Sequence, residues 1–307
     1  MSGAALKYTH PPIASTPPKT VLPQGTALVL EGGGTRGFFS SGVMDAFIEA
    51  GIMFPYILGV SAGAANALSY LSGQFGRTRQ VVEHYVADPR YVSPRNLILH
   101  GSVFNYKFIF NEISEKHIFL DFDAARRCPT RFLAGCVDAE TGKLVYFTLD
   151  DVTTDERGTD CTPVIASCSV PMISKIVKFR GHKLVDGGVY GGVPIEKSIA
   201  DGNTFHVVVL TRNAGFVKEP EGHAGLAKIL LHRYPKLRDV LARRHEIYAE
   251  QVALCEQLER DGKALILRPQ KPIWAGRSEQ NTAKLLALYD EGTDEGRAAV
   301  RKIESRG

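Results

Sequence analysis

The chain has 307 residues, of which 44% are hydrophobic and 23% are charged, and this length suffices for one large domain or two smaller ones. The formal net charge is only +4, and the basic residues are dispersed, which argues against a nucleic-acid-binding protein. No apolar run approaches the ~20 residues of a membrane-crossing helix, so we expect no such helix.

The first predicted elements follow a polar, proline-rich segment. Residues 1–25 lack the apolar middle of a secretory signal, and we expect them to form a flexible leader outside the fold. Thr26–Glu31 then fits a buried strand, and Phe38–Gly51 fits a helix. Ile57–Val60 fits a second strand, followed by a helix at Ala62–Leu71. This alternation predicts an α/β fold with a parallel sheet covered on both faces.

The middle of the chain begins with an aromatic-rich segment of weak periodicity, Asp88–Ala124. It could be a cap that covers the substrate or an irregular insertion that packs in the core. We favour packing, because aromatic residues at such spacing are more often buried. Hairpin strands and a short helix are predicted next, at Arg131–Val137 with Lys143–Thr148, Pro163–Cys168, and Ile176–Phe179 with Lys183–Val185.

The last third contains further strands and helices without a linker before them. These elements are predicted at Phe205–Leu210, Leu226–Leu231, Pro235–Arg260, Ala264–Arg268 and Ser278–Tyr289. We therefore divide the chain into a main domain at 26–200 and an extension at 201–307 that packs on the same sheet.

A basic stretch between Lys228 and Arg244 alternates with leucine and valine. One interpretation is peripheral contact with anionic lipid headgroups of a membrane. The other is a pair of amphipathic helices whose leucines pack on the sheet and whose charges are solvated. Pro235 shortens any continuous membrane-facing surface, and this favours packing.

Residues Gly59–Gly63 form a Gly-x-Ser-x-Gly motif between the second strand and its helix. A serine at this position lies on a sharp turn, so the Ser61 hydroxyl would project from the sheet edge as a candidate nucleophile. Gly59 and Gly63 would allow the close approach of neighbouring backbone. The motif also arises by chance, and the alternative is a tight turn that contains a serine.

A glycine loop, Gly32–Gly37, follows the first strand and opens the first helix. Consecutive glycines let backbone N–H groups converge on a phosphate or a developing oxyanion. A dinucleotide site would need an acidic residue after the second strand, where Gly59–Gly63 stands instead. The Gly-Lys-Ser/Thr of a P-loop is also missing. An oxyanion site beside Ser61 is therefore favoured, because both loops end parallel strands.

A third glycine motif, Asp186–Gly188, supplies a candidate base. A serine hydroxyl needs a neighbouring group to accept its proton. Asp186 alone would be an ordinary turn residue. The order of all three glycine motifs along the chain favours a role for Asp186 beside Ser61.

Together these motifs resemble the patatin-like phospholipase family, and its bacterial members in particular. The family has a Gly-Gly-Gly-x-Arg-Gly loop, a Gly-x-Ser-x-Gly turn and a distant Asp-Gly-Gly, and Ala166–Pro171 is similar to its Ala-Ser-x-x-x-Pro segment. The resemblance covers roughly residues 26–200, here the catalytic domain. It implies a three-layer α/β/α sandwich around a mainly parallel sheet.

The resemblance implies a Ser–Asp dyad, with Ser61 as nucleophile and Asp186 as proton acceptor. An oxyanion hole would lie at Gly32, Gly33 and Gly34, with the Gly33 and Gly34 amides as donors. The supporting motif positions are Thr35, Arg36, Gly37, Gly59, Gly63, Gly187 and Gly188. Arg36 would brace the loop. The implied activity is hydrolysis of lipid acyl esters, and the alternative is a catalytically idle lipid-binding or regulatory protein.

A histidine-based triad is the competing arrangement. His206 lies in a predicted strand, and His223, His232 and His245 lie in or next to basic helical segments. His182 precedes Asp186 closely and stays a candidate, although the dyad is favoured.

The remaining expectations concern cofactors and the cellular compartment. Five widely spaced cysteines without a Cys-x-x-Cys motif indicate free thiols, as in the reducing cytoplasm. We expect no zinc site, no other metal and no cofactor, because no clustered ligand set is present.

Overall fold

An eight-stranded sheet runs through the protein. The structure is a computed structural model, and it describes residues 8–155, 158–220, 222, 224–272 and 275–305. The described strands are β1 (Thr20–Val21), β2 (Thr26–Leu30), β3 (Ile52–Met53), β4 (Tyr56–Val60), β5 (Arg131–Asp138), β6 (Leu144–Thr148), β7 (Thr153–Asp155), β8 (Gly158–Asp160), β9 (Val177–Phe179), β10 (His182–Asp186), β11 (Phe205–Val209) and β12 (Ala264–Leu267).

The α-helices surround this sheet. They are α1 (Phe38–Ala50), α2 (Ala62–Leu71), α3 (Arg77–Tyr85), α4 (Pro94–His100), α5 (Phe122–Arg127), α6 (Thr162–Cys168), α7 (Ile195–Ala200), α8 (Ala224–Leu230), α9 (Pro235–Ala242), α10 (Arg244–Arg260) and α11 (Thr282–Glu304). Short 3-10 helices lie at Gly34–Gly37, Leu149–Asp151 and Gly187–Val189, and a π-helix spans Lys107–His117. None of the helices in the described ranges is long and apolar enough to cross a membrane.

The sheet is parallel over most of its width. Its order is β12-β11-β2-β4-β5-β10-β9, with β6 paired to β5 outside this path. Strands β12, β11, β2, β4 and β5 are parallel neighbours, whereas β6, β9 and β10 join through antiparallel pairing. The predicted α/β class with a mainly parallel sheet is confirmed.

Both faces of the sheet are covered by helices. Leu28 and Leu30 of β2 pack in one core with Phe39 of α1. Ala27 and Val29 lie in the core on the opposite face, which α10 covers. Successive side chains of a strand point to opposite faces, so burial on both sides requires the nearly continuous apolar run from which β2 was predicted.

Strand β5 brings the ends of two other strands together. Its pairing with β6 occupies one edge, so β4 and β10 share the other edge. Parallel β4 ends where Val60 pairs with Gly135, and antiparallel β10 ends where Asp186 pairs with Cys136. The two strands therefore meet end to end, and Val60, the residue before Ser61, and Asp186 pair with consecutive residues of β5.

The proline-rich segment differs from its prediction as a leader outside the fold. The amide of Thr9 donates to the Lys116 carbonyl at 3.1 Å, and that of Thr16 donates to the Gly73 carbonyl at 2.9 Å. Strand β1 pairs with β3 in parallel. Backbone N–H groups of this proline-rich segment thus donate hydrogen bonds to residues distant in the chain. Amino-acid composition does not reveal such long-range contacts. Residues 1–7 lie outside the described residues.

Two predicted helices have other boundaries in the structure. The helix predicted at Pro235–Arg260 is divided at Arg243, between α9 and α10. The last predicted helix continues past Tyr289 to Glu304. Its extension contains Gly292 and Gly296, and glycine in a sequence argues against a continuing helix.

These glycines lie where α11 packs against α1. A methyl group on Gly292 would lie 2.1 Å from the carbonyl oxygen of Phe39, and one on Gly42 would lie 2.0 Å from that of Tyr289. The two helix backbones are therefore in direct contact. The Tyr289 hydroxyl also donates to buried Asp45 of α1, and Arg297 pairs with Glu49 at 2.8 Å.

We predict that Gly292→Ala lowers the free energy of unfolding by about 1–3 kcal/mol, because the added methyl forces α1 and α11 apart. Gly225→Ala in α8 is the matched control, since its methyl group meets nothing within 4 Å. There alanine should be neutral or stabilise by up to about 1 kcal/mol. Denaturant unfolding measures both, and equal stabilities of the two variants would contradict the prediction.

Candidate active site

Ser61 lies on the sharp turn that its motif predicts, between β4 and α2. Its φ of 54° and ψ of −124° are values that residues other than glycine rarely adopt. The backbone just after Ser61 packs closely against β2, because a methyl group on Gly63 would lie 2.7 Å from the Leu30 carbonyl oxygen. Ser61 is buried, with 8% of the residue exposed. The turn therefore holds the hydroxyl in one place.

Asp186 accepts a hydrogen bond from the Ser61 hydroxyl. The distance from Ser61 Oγ to Asp186 Oδ2 is 2.7 Å, and the Gly188 amide donates to Oδ1 at 2.6 Å. Burial raises the pKa of Asp186, while these two hydrogen bonds and the charges of Arg244 and Arg277 act in the opposite direction. A carboxylate with a raised pKa is a stronger base than an exposed one, which suits a proton acceptor.

The C-terminal end of α6 holds both members of this pair. The Ser61 amide donates to Ser167 Oγ at 2.8 Å, and Ser167 Oγ donates to the Gly135 carbonyl at 2.6 Å. The Asp186 amide donates to the Ser169 carbonyl at 2.9 Å. The family resemblance marked this segment, but only the structure assigns Ser167 a positioning contact.

The glycine loop lies beside the pair. The Gly32 amide donates to the Gly192 carbonyl at 3.1 Å, which agrees with Gly32 being part of the loop and not one of the two predicted donors. Within the described ranges, the Gly33 and Gly34 amides have no protein acceptor. Both glycines line the same cavity as Ser61, which leaves their N–H groups as the candidate donors.

The other predicted motif residues lie around this loop. The Thr35 amide donates to the Arg277 carbonyl at 3.0 Å, and the Gly37 carbonyl accepts from Asn66 Nδ2 at 2.9 Å. Gly59 belongs to β4, and Gly187 opens the 3-10 turn after Asp186. Arg36 lines the cavity, but its Nε has no acceptor among the residues described. The bracing contacts seen in this loop come from Thr35.

A cavity of about 190 Å³ opens in front of Ser61. A group of its apolar lining residues, here called the aromatic wall, consists of Tyr91, Val103, Phe104, Tyr106, Ile109, Phe110, Val170 and Ile173. Its basic lining residues, here called the cationic wall, are Arg36, Arg212, Lys218, Arg244 and Arg277. The aromatic-rich segment therefore combines both of its interpretations, because Phe108 is buried in a core whereas Phe104 lines the cavity.

No histidine lines the cavity within the part of the chain that the structure describes. His182 lies with its Nδ1 2.8 Å from Asp138 Oδ2, and His206 Nδ1 lies 3.0 Å from Ser198 Oγ. His223 lies outside the described residues. Among the described residues, the hydrogen-bond partner of the Ser61 hydroxyl is Asp186 and not a histidine.

Fold and site together define an α/β protein with a buried serine–carboxylate pair at the edge of a mainly parallel sheet. A family model described as patatin-like phospholipase matches residues 28–199, and the chain belongs to this family. A second model, described as a domain of unknown function (DUF6363), matches residues 234–306.

Two known proteins are similar to the chain. Uncharacterized protein YjjU of Escherichia coli (strain K12) is 27% identical over 215 residues, which cover 68% of this chain and 58% of YjjU. The chain thus matches less than two thirds of the length of that relative. The crystal structure of VipD from Legionella pneumophila has a TM-score of 0.46 and 13% identity, and covers 99% of this chain and 71% of that chain.

We predict that Ser167→Ala destabilises the protein by about 1–3 kcal/mol, because the buried Ser61 amide loses its acceptor. Reaction of Ser61 with a fluorophosphonate probe should also slow. Ser169→Ala is the matched control, since Ser169 Oγ donates to Ile165 in its own helix at 2.8 Å and does not touch Ser61. Unfolding curves and labelling rates measure both effects, and equal results for the two variants would sink the positioning role of Ser167.

Proposed function

We propose that the protein is a serine acyl hydrolase that cleaves acyl esters of lipids, in the manner of a phospholipase A or lysophospholipase. The observation that carries this proposal is the buried hydrogen bond of 2.7 Å between Ser61 Oγ and Asp186 Oδ2. Membership of the patatin-like phospholipase family supports a lipid hydrolase. The aromatic wall suits an acyl chain, because it offers apolar surface next to the hydroxyl.

In the first half of the reaction Ser61 Oγ attacks the ester carbonyl carbon while Asp186 accepts the hydroxyl proton. The carbonyl π electrons move to oxygen, and the Gly33 and Gly34 amides stabilise the oxyanion. One such donor contributes about 10²- to 10³-fold in rate. The tetrahedral intermediate then collapses, and the alcohol leaves with the proton held by Asp186. An acyl ester of Ser61 remains.

The second half repeats these steps with water. Asp186 accepts a proton as the water oxygen attacks the acyl carbon, and the same two amides stabilise the new oxyanion. Collapse breaks the bond to Ser61 Oγ, which recovers its proton from Asp186 while the fatty acid departs. A single carboxylate can thus serve as base and acid in turn, because it is the proton partner of oxygen in both halves.

We predict that Ser61→Ala lowers hydrolysis of a short-chain nitrophenyl ester by at least about 10³-fold, while the protein stays folded. A fluorophosphonate probe should label wild-type protein at Ser61 and leave Ser61→Ala unlabelled. Hydrolysis by Ser61→Ala at the wild-type rate would refute the nucleophile. Folded wild-type protein that never labels would favour the alternative, a catalytically idle lipid-binding or regulatory protein.

We also propose peripheral contact between α8 and an anionic membrane surface. Ile229 is 70% exposed and Leu230 is 51% exposed, next to the exposed basic residues Lys228 and Arg233. Such a mixed surface favours binding at a lipid interface. The competing packing interpretation holds for the buried leucines of this region, which are Leu231, Leu237 and Leu241.

We predict that Ile229→Asp reduces co-sedimentation with phosphatidylglycerol vesicles by about tenfold, because an apolar side chain no longer enters the interface. Ile199→Asp is the control, since Ile199 is partly exposed on α7, away from α8 in the chain. Unchanged binding by Ile229→Asp would remove α8 as the contact.

For the cellular location we propose the cytoplasm. All five cysteines are free thiols, and three of them, Cys136, Cys161 and Cys255, are buried. Free thiols are usual in a reducing compartment. Cell fractionation tests this, and recovery outside the cytoplasm and its membrane surface would contradict it.

A further inference from the structure

The cationic wall brings basic side chains so close that they repel one another. Five of them line the cavity, together with the carboxylates of Glu31 and Asp186. Asp186 is hydrogen-bonded to Ser61, and Glu31 accepts a hydrogen bond from the Thr211 amide. The positive charge of Arg212 disfavours the charged form of Arg36, and that of Arg36 disfavours the charged form of Lys218.

One cation of this wall, Arg36, is withdrawn from water. Arg36 is 5% exposed, and its Nε has no hydrogen-bond acceptor in the described part of the chain. Burial lowers the pKa of Arg36 to about 10, and the nearby positive charge of Arg212 acts in the same direction. Burying a cation without full compensation is unfavourable, so a bound anion would stabilise this arrangement.

Lys218 also lies close to other positive charges. Burial lowers the pKa of Lys218, and the positive charges of Arg244, Arg277 and Arg36 lower it further, against Glu31. Its ammonium donates to the Gly191 carbonyl at 2.9 Å and lies 3.7 Å from the centre of the Tyr248 ring. An anion bound beside Lys218 would favour its ammonium form, whose three N–H donors leave capacity for a further acceptor.

The cationic wall is joined to the segments that carry the catalytic groups. Arg244 Nε donates to the Gly188 carbonyl at 2.6 Å, two positions after Asp186. The carbonyl of Arg277 accepts from Thr35 in the glycine loop. A group bound by this wall therefore lies in the same cavity as Ser61.

We propose that the cationic wall binds the phosphate of an anionic headgroup on the alcohol side of the substrate ester, with the acyl chain against the aromatic wall. This assignment rests on the proposed function of the site. Guanidinium groups match phosphate oxygens with paired hydrogen bonds, and a doubly charged phosphate offsets several cations at once. Of the five cations, Arg212, Lys218, Arg244 and Arg277 lie beyond residue 199, where the family match ends.

The first test measures binding and does not depend on hydrolysis. Calorimetry with the Ser61→Ala protein should detect glycerol 3-phosphate and not glycerol. Adding Lys218→Met or Arg212→Gln to that protein should weaken binding at least about tenfold, as the loss of a charged hydrogen-bonding group does. Lys263→Met removes one positive charge from an exposed position outside the cavity, and should match its parent.

The outcomes of this test are distinct. Absence of binding, or equal weakening by Lys263→Met, would overturn the headgroup site. Inorganic phosphate that binds as tightly as glycerol 3-phosphate would indicate a site for free phosphate, and would also overturn it. Thermal unfolding of each variant separates loss of the site from loss of the fold.

The second test measures specificity. We expect wild-type kcat/KM to be at least about tenfold higher for a 1-acyl-glycerol 3-phosphate than for the 1-acyl-glycerol with the same chain. In Lys218→Met and Arg212→Gln this ratio should fall towards one. A wild-type ratio of one or less would contradict the proposal. If neither ester is hydrolysed, the proposed function fails, while the calorimetric result still decides the anion site.

Discussion

The end-to-end meeting of β4 and β10 along one edge of β5 is the constraint on which the site depends. Gly135 and Cys136 are adjacent in β5, and they set the levels at which β4 and β10 end. Hydrogen-bond register, and not loop conformation, therefore fixes how far Ser61 lies from Asp186. A register slip of one residue would turn the side chains of a strand to the opposite face, so the hydrogen bond between the pair and the burial of the sheet depend on the same pairing.

Ser61 and Asp186 can be buried because their polar groups form hydrogen bonds within the protein. Ser167 Oγ accepts from Ser61 and donates to Gly135, which ties the turn to the strand that aligns it. Each carboxylate oxygen of Asp186 accepts a hydrogen bond. Polar networks of this kind stabilise one arrangement when complete and are unfavourable when partly satisfied. The glycine loop differs, since the Gly33 and Gly34 amides face the cavity without a protein acceptor in the described ranges.

The parts predictable from sequence are those that local chemistry determines. The turn at Ser61, the glycine loop and the strands around them follow from glycine spacing and apolar runs, and the structure has them at the predicted places. Arg212, Lys218 and Arg277 were not predicted as site residues, because they stand in no motif and reach the cavity only through folding. The contacts of residues 9–21 and the length of α11 depend equally on partners distant in the chain.

The backbone contact between α1 and α11 has a consequence for where this protein can be divided. Helix α1 starts at the glycine loop, and the chain leading into α11 supplies the Arg277 carbonyl that holds Thr35. Without the residues after 199, β2 would become an edge strand. The side of α1 that carries Gly42 and packs against α11 would be exposed to solvent. The family model matches residues 28–199. This stretch is therefore shorter than the set of residues whose contacts hold the fold together. The bounds of fragments for chimaeras or split reporters should therefore be chosen from the contacts in the structure and not from the bounds of the family match.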